Sequence, residues 1–200
     1  MRHHGIRAIT ARRFRLCTTD SRHDLPIAPN RLRQKFAAER PNQVWLADVT
    51  YVPTGQGWLY LAVVLDLFTR KIVGSAMRDH LRAELTIAAL TMAIQQQKPP
   101  PCLIHHSDRG SQYAAAGYHK VLNAARMIQS MSRKGNCWDN APMESCFDTI
   151  KTELMHQTCY EIRDAARRDL FAYIEGYYNR QRLHSAIGYS TPEQAERQAA

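Results

Sequence analysis

Two stretches decide the fold of this chain: VWLADVTY at residues 44–51 and WLYLAVVLD at residues 58–66. The first alternates in a way that is typical of a β-strand. One face of that strand carries Val44, Leu46, Asp48 and Thr50. The second stretch is nearly all apolar, which indicates a strand buried on both faces. A third strand is expected at residues 71–77, and the short turns between the three predict an antiparallel meander.

Beyond residue 80 the spacing of apolar residues changes to a helical period. We expect two more strands, at residues 102–106 and 127–131. The expected helices span residues 82–97, 114–125, 140–156 and 161–178. The later strands need crossover connections, so the order βββ-α-β-α-β-α-α predicts an α/β fold with a mixed five-stranded sheet flanked by helices. Asn30 to Arg40 is expected to form a short additional helix with Asn30 as its N-cap.

The charge of the chain is unevenly distributed. Its 200 residues include 27 Lys and Arg against 18 Asp and Glu, a net charge of +9, and residues 1–40 alone carry +7. We therefore expect residues 1–40 to be a basic N-terminal arm or linker and residues 41–200 to be the core with a C-terminal helix. Such an arm favours a nucleic-acid partner, although a solvated linker would have the same composition.

Several classes of protein are disfavoured. No apolar stretch is long enough to cross a bilayer, and the basic N-terminus has no apolar segment of the kind found in secretory signals, so we expect no membrane partner and a cytoplasmic location. Five cysteines without a C-x-x-C pair are consistent with buried thiols in a reducing compartment. No phosphate-binding G-x-x-x-x-G-K loop is present, so nucleotide hydrolysis is not expected.

Three carboxylates lie where this architecture could bring them together. Asp48 interrupts an apolar strand, Asp108 follows the predicted fourth strand, and Glu144 lies early in a helix behind a glycine-containing loop. Facing carboxylates repel one another and are typically accompanied by hard divalent cations, which predicts a Mg²⁺ site. Each residue also has a simpler interpretation: a satisfied polar strand residue, a turn residue and a helix N-terminal charge, respectively. Asp66 is a fourth candidate, which we interpret as the start of a turn.

Several phrases are similar to those of bacterial insertion-sequence transposases with a retroviral-integrase-like DDE catalytic core. They are Trp45-x-x-Asp48-x-Thr50-Tyr51, the run His106 to Tyr113 (HSDRGSQY), the run Ser132 to Ser145 (SRKGNCWDNAPMES) and the tail Tyr178-Asn179-Arg180-x-Arg182-x-His184 with Thr191-Pro192. The 35 residues between Asp108 and Glu144 match the spacing of that group. The resemblance extends from about Pro41 to Glu196.

The resemblance implies a ribonuclease H-like fold in which Asp48, Asp108 and Glu144 are catalytic and bind metal. It further implies Mg²⁺, with Mn²⁺ as a substitute, and cleavage of transposon ends followed by 3′-OH strand transfer into target DNA. It also implies a homo-oligomer in the synaptic complex and a nucleoid-associated bacterial protein. Two alternatives stay open: a ribonuclease H-like nuclease without strand transfer, and an inactive DNA-binding transposase remnant.

The DNA contacts are expected at three basic residues. Lys151 matches the family's lysine two turns after the glutamate and falls on the same helical face as Glu144. Arg133 and Lys134 belong to the glycine-containing loop and are expected to contact phosphates. Only about forty residues precede the core, so the helix-turn-helix module of such proteins is expected in a separate or fused polypeptide, unless this chain is truncated.

Two further constellations carry less weight. His105 and His106 lie beside Asp108 but lack the paired cysteine or histidine ligands that a zinc site requires. Tyr160, Tyr177 and Tyr178 could suggest tyrosine recombination, but their helical setting favours core packing.

Overall fold

A computed structural model of the chain describes residues 23–199. Most of the predicted basic arm, residues 1–22, lies outside the described residues. None of the helices in the described part is long and apolar enough to cross a membrane.

The centre of the molecule is a five-stranded mixed sheet with the order β3-β2-β1-β4-β5. Its strands are β1 (Val44–Thr54), β2 (Gly57–Asp66), β3 (Ile72–Arg78), β4 (Ile104–Ser107) and β5 (Ile128–Met131). The first three form the predicted antiparallel meander, and β4 and β5 add in parallel beside β1. The mixed sheet is therefore confirmed.

Helices cover both faces of the sheet. In chain order they are α1 (Ala83–Gln97), α2 (Ser111–Ala114), α3 (Ala116–Ala124), α4 (Ala141–Ile150), α5 (Arg163–Ala172) and α6 (Pro192–Gln198). Trp45, Ala47 and Val49 of β1 pack in one apolar core with α1, α2 and α3, whereas Val44, Leu46 and Val52 pack in a second core with α4 and α5. Asp48 belongs to the face that α4 and α5 cover, because side chains alternate along a strand.

Two helices end in wider turns. A π-helical turn at Lys151–Met155 continues α4, and another at Tyr173–Tyr178 continues α5. The predicted helices at 140–156 and 161–178 are thus present with nearly the expected lengths. The spacing of apolar residues in the last predicted helix places Ile162 and Tyr177 on its buried face, but they are 45% and 42% exposed. Ile162 precedes the first turn of α5 as its N-cap residue, so the helix does not carry it into the core.

Three local predictions are wrong for reasons of backbone geometry. Residues 30–40 form turns instead of a helix, because Arg33 and Gln34 adopt positive φ angles of 47° and 63° that a right-handed helix excludes. The helix expected at 114–125 is divided at Ala115, whose backbone is extended. The fourth strand begins at Ile104 instead of Cys102, since Cys102 has a φ of 68°.

The C-terminal tail is fastened to the edge strand β3. The Asn179 side chain accepts a hydrogen bond from the Ile72 backbone N–H (2.9 Å) and donates one to the Ile72 carbonyl (3.0 Å). Beyond it, α6 begins at a capping box formed by Thr191 and Gln194. An ion pair between Lys71 and Glu196 (2.5 Å) holds α6 against the start of β3.

Candidate active site

Asp48 and Asp108 are placed next to each other by the register of two parallel strands. β1 and β4 pair from Val44↔Ile104 to Ala47↔Ser107, so Asp48 and Asp108 each lie one residue beyond the last pair. β1 continues past this point while β4 ends, which leaves both carboxylates at the end of β4. Both residues are half-buried. The carboxyl ends of parallel strands are where α/β proteins commonly place ligand-binding groups.

Glu144 reaches the same region through the loop that precedes α4. A single turn of 3-10 helix at Cys137–Asn140 leads into α4, and Glu144 lies in its first helical turn. The buried Asn140 side chain donates a hydrogen bond to the Ala47 carbonyl (3.4 Å), the residue before Asp48. The start of α4 is therefore anchored directly to the strand that carries Asp48. Glu144 itself is exposed.

The other two carboxylates both affect the pKa of Asp48. It is raised well above its usual value, first by burial and then by the negative charge of Asp108, with a smaller contribution from Glu144. A hydrogen bond from the Val49 backbone N–H (2.7 Å) and the positive charge of Lys151 oppose this rise. Repulsion between like charges around a buried carboxyl is the condition that a divalent cation relieves.

The donor set suits Mg²⁺ or Mn²⁺, since both prefer carboxylate oxygens. Within residues 23–199, no group of three or more His, Cys, Asp or Glu side chains is close enough together to hold a metal ion. Asp48 and Asp108 lie in register on neighbouring strands, and Glu144 is exposed at the start of α4.

Lys151 lies beside this acidic group. Its Nζ is 5.9 Å from the centre of the Tyr51 ring, and Tyr51 is three residues after Asp48 on β1. Lys151 opens the π-helical turn after α4. It is close enough to lower the pKa of Asp48. The structure thus brings Lys151 to the candidate site.

The loop between β5 and α4 is organised by Asp139, which sequence reasoning missed. Its buried carboxylate accepts hydrogen bonds from the Arg133 backbone (2.7 Å) and guanidinium (3.0 and 2.8 Å), from Asn30 (2.8 Å) and from Gln34 (3.0 Å). Hydrogen bonding to Arg133 lowers the pKa of Asp139. The only available sequence signal was the phrase WDN, in which an aspartate lies between a tryptophan and the residue that caps α4.

The two other predicted basic contacts differ in their surroundings. The Arg133 side chain is 54% exposed but uses its Nε and one terminal nitrogen on Asp139. Lys134 is exposed on the same loop. Arg133 therefore has only part of its guanidinium free for another anion.

His105 and His106 are both buried structural residues. His105 bonds to the Tyr118 hydroxyl (3.0 Å), and burial lowers its pKa to about 3. His106 bridges the Ser130 hydroxyl (2.8 Å) and the Asp139 carbonyl (2.9 Å). Asp66 is a turn residue, as expected, because its carboxylate accepts from the backbone and hydroxyl of Thr69 and from the Asn42 N–H.

Comparison with protein families matches residues 38–192 to one kind of domain. A model described as "Integrase core domain" matches residues 38–137, and a second with the same description matches residues 125–192. An insertion element IS600 uncharacterized 31 kDa protein of Shigella sonnei is 51% identical over 187 residues, which are 94% of this chain and 68% of that protein. Transposase InsF for insertion sequence IS3A of Escherichia coli K12 is 43% identical over 98% of this chain and 68% of that protein.

Similar folds occur among solved structures. A chain of the simian T-cell lymphotropic virus intasome in complex with PP2A regulatory subunit B56 gamma aligns with a TM-score of 0.66 and 16% identity, covering 89% of this chain and 60% of that one. The HTLV-2 integrase catalytic core domain in complex with magnesium, in its trimeric form, aligns with a TM-score of 0.62 and 17% identity, covering 80% of this chain and 99% of that one. Identities this low establish similarity of fold.

Proposed function

The chain belongs to the integrase core family of insertion-sequence transposases, and from this we propose that it cuts and joins DNA at a divalent-metal site formed by Asp48, Asp108 and Glu144. Its fold is ribonuclease H-like, as the resemblance implied. The chain spans 68% of the length of its curated relatives and 60% of the intasome chain, so activities of those whole proteins enter here as part of the proposal.

The observation that carries the proposal is the convergence of like charges on Asp48. Asp48 and Asp108 follow the last residue pair of two parallel strands, and the charges of Asp108 and Glu144 both raise the pKa of Asp48. Such an arrangement destabilises the folded protein unless a cation is bound. We assign all three carboxylates as ligands of Mg²⁺, which Mn²⁺ would replace.

The bound metal would activate water and stabilise the leaving 3′-oxygen during phosphodiester cleavage. The protein's own residues hold the three carboxylates in position. Asp48 and Asp108 are fixed by strand pairing, and Asn140 anchors the helix that carries Glu144. No side chain is required as nucleophile, so the 3′-OH released in the first step can attack a second phosphodiester in the same site.

The proposed DNA contacts surround this site. Lys151 lies beside Tyr51 at the edge of the acidic group and is suited to hold a neighbouring phosphate. Lys134 presents an exposed ammonium on the loop before α4. Arg133 contributes the part of its guanidinium that Asp139 leaves free.

We further propose that residues 1–40 form a DNA-binding arm and residues 41–200 the core. The protein would act as a homo-oligomer on transposon ends and target DNA. It would work in the bacterial cytoplasm at the nucleoid. A separate or fused helix-turn-helix module would recognise the ends.

Substitution of each carboxylate tests the proposal. Asp48→Asn, Asp108→Asn and Glu144→Gln are each expected to reduce Mg²⁺-dependent DNA cleavage by roughly a thousandfold, since loss of metal-based charge stabilisation costs several kcal/mol. DNA binding, measured separately by fluorescence anisotropy, should survive. Asp79→Asn removes an exposed carboxylate after β3 and serves as the matched control, with cleavage expected to be unchanged.

The assay should use duplexes from the inverted repeats that flank the gene, both intact and pre-cut with a free 3′-OH. Joined products from the pre-cut duplex are expected. Cleavage without joining would instead identify a nuclease, and no metal-dependent cleavage by the unsubstituted protein would identify an inactive remnant. A residue whose substitution leaves cleavage near that of the Asp79→Asn control is not a metal ligand.

A further inference from the structure

A small polar cavity lies behind α4, on the same face of the sheet as Asp48. Its volume is about 160 Å³, roughly ten times the space that a single buried water needs. The polar side chains that line it are Arg70, Arg182, His184, Ser145, Thr149 and Tyr178. Arg182 and His184 belong to the tail phrase Tyr178-Asn179-Arg180-x-Arg182-x-His184, to which the proposed chemistry gives no role.

Arg70 brings a positive charge to this cavity without a carboxylate partner. Among the described residues, no Asp or Glu forms an ion pair with it, and its buried Nε has no hydrogen-bond acceptor. Asp66 is near enough to act on its charge, but the Asp66 oxygens are occupied by Asn42 and Thr69. Arg70 is half-buried, and a partly desolvated cation without a counter-ion favours a bound anion.

His184 adds an unpartnered buried group. The residue is 9% exposed, and its Nε2 has no hydrogen-bond partner in the described structure. Its Nδ1 lies 3.4 Å from a terminal nitrogen of Arg182. An arginine can only donate, so a hydrogen bond in this contact has Nδ1 as acceptor and the ring proton on Nε2. Burial and the charge of Arg182 lower the pKa of His184 to about 4, against the opposing effect of the Tyr178 carbonyl, so the ring is neutral at pH 7.

The other charges around the cavity leave it cationic. Arg182 is bound to Glu153 through Nε (2.9 Å) and a terminal nitrogen (2.8 Å), which neutralises one arginine. The Tyr178 hydroxyl is hydrogen-bonded to Cys146, whose thiol has a pKa raised to about 12 by burial and stays neutral. Arg70 therefore supplies an uncompensated charge, and the Ser145 hydroxyl supplies a further donor. The Thr149 hydroxyl lines the cavity but donates its hydrogen to the Ser145 carbonyl (3.0 Å).

The cavity adjoins the candidate active site along one helix. Ser145 and Thr149 line it, and the same two residues line a second, open depression that also contains Glu144 and Asp148. Ser145 directly follows Glu144 in the chain. A phosphate bound in the cavity would therefore lie against α4, on the opposite side of Ser145 and Thr149 from the depression that contains Glu144.

We propose that Arg70, His184 and the Ser145 hydroxyl form a binding site for a phosphate-type oxyanion, either free phosphate or a phosphate of the DNA backbone. The site does not depend on the catalytic role of the three carboxylates. Arg70 supplies a positive charge and His184 a directed N–H donor. Together they suit an oxyanion better than a neutral water molecule.

The test titrates inorganic phosphate into the full chain at constant ionic strength, with chloride as reference. Histidine side-chain NMR should show a saturable shift of the His184 ring, and at ten times the dissociation constant the thermal midpoint should rise by ~3–5 °C. Arg70→Gln and His184→Gln should weaken phosphate binding about tenfold or more, since each removes a buried donor. Arg168→Gln, an exposed arginine on α5, is the matched control and should bind phosphate like the unsubstituted protein.

A second titration, with duplex DNA in place of inorganic phosphate, identifies the source of the phosphate. If the backbone occupies the cavity, saturating DNA shifts His184 and removes its response to phosphate; if free phosphate is the ligand, the response persists with DNA bound. A His184 ring that does not respond to phosphate or DNA overturns the proposal. So does an Arg70→Gln protein that folds and binds phosphate as tightly as the Arg168→Gln control. Because the NMR titration uses the unsubstituted protein, its outcome stands even where a variant folds poorly.

Discussion

Asp48 shows how a single side chain can oppose the stability of the strand that holds it. Its carboxyl lies on a buried strand beside two other acids, and the Val49 N–H and Lys151 favour its ionised form. The neighbouring residues Ala47 and Val49 are buried apolar groups that fix the strand regardless of this cost. Stability given up at one position is typical of residues retained for function.

Replacing Asp48 by Asn should therefore stabilise the metal-free protein at pH 7.5, by about 0.5–2 kcal/mol. The folded pKa of Asp48 is raised above the ordinary value near 4, so ionisation costs stability, and the penalty grows as pH rises above that value. The advantage of Asp48→Asn should thus be absent at about pH 3.5 and present at pH 7.5. Urea unfolding with EDTA at both pH values measures it, with Asp79→Asn as control; an equal difference at both pH values would contradict the assignment.

The site was partly predictable at this scale. Asp48, Asp108 and Glu144 stood out because each is an acid in an unusual setting, and strand order explains why the first two are neighbours. Asp139 could not be recognised, because its function depends on Asn30 and Gln34, more than a hundred residues earlier in the chain. Spacing along a sequence carries no information about contacts of that kind.

At the scale of elements, the fit between β3 and α1 depends on one glycine. A Cβ atom built on Gly74 would lie 2.3 Å from the Ala89 carbonyl oxygen and 2.8 Å from the Ala93 Cβ. Both neighbours are in α1, and one is backbone, so the helix would have to move away from the sheet. By contrast, a Cβ on Gly176 meets nothing within 4 Å in the π-helical turn after α5.

Gly74→Ala and Gly176→Ala should consequently shift stability in opposite directions. The first is expected to destabilise the fold by about 1–3 kcal/mol through overpacking. The second should stabilise it by about 0.5–1 kcal/mol, since alanine loses less backbone entropy than glycine in a helix. Chemical denaturation of both variants compares them directly. A neutral Gly74→Ala protein would show that α1 is not packed as closely as described.

The elements that the sequence predicted well are those with strong periodicity, namely the meander, α1 and the helices beginning with α4 and α5. The errors lie where single backbone angles decide, as at Arg33 and Cys102, whose positive φ values have no sequence signature in non-glycine residues. α6 was not predicted as a separate helix, although the Thr191-Pro192 pair that starts it is a recognisable N-terminal signal.

On the scale of the whole molecule, charge is separated between the chain's beginning and its folded body. Residues 1–22 contain six arginines and one aspartate, whereas residues 41–150, which contain the three candidate acids, carry a net charge of +2. The acids that form the candidate site thus lie in a part of the chain with little excess positive charge. Non-specific attraction to DNA is expected to come mainly from the N-terminal residues.

Removing residues 1–22 should lower the salt dependence of DNA binding. Each phosphate contact contributes about 0.9 to the slope of log affinity against log salt concentration, so the slope should decrease by roughly 3–5. Anisotropy titrations of a random-sequence duplex at several salt concentrations measure this change. Equal thermal midpoints of the full and shortened proteins are the control, and an unchanged slope would assign DNA attraction to the core.

The Asn179–Ile72 pairing has a consequence for association between molecules. β3 is an outer strand, and an outer strand normally offers free N–H and C=O groups to which a strand of another chain can add. The amide of Asn179 takes both groups of Ile72, and α6 lies over the same end. The sheet is therefore closed to growth where β3 begins, so a strand of another chain cannot add at this end of β3 without displacing Asn179.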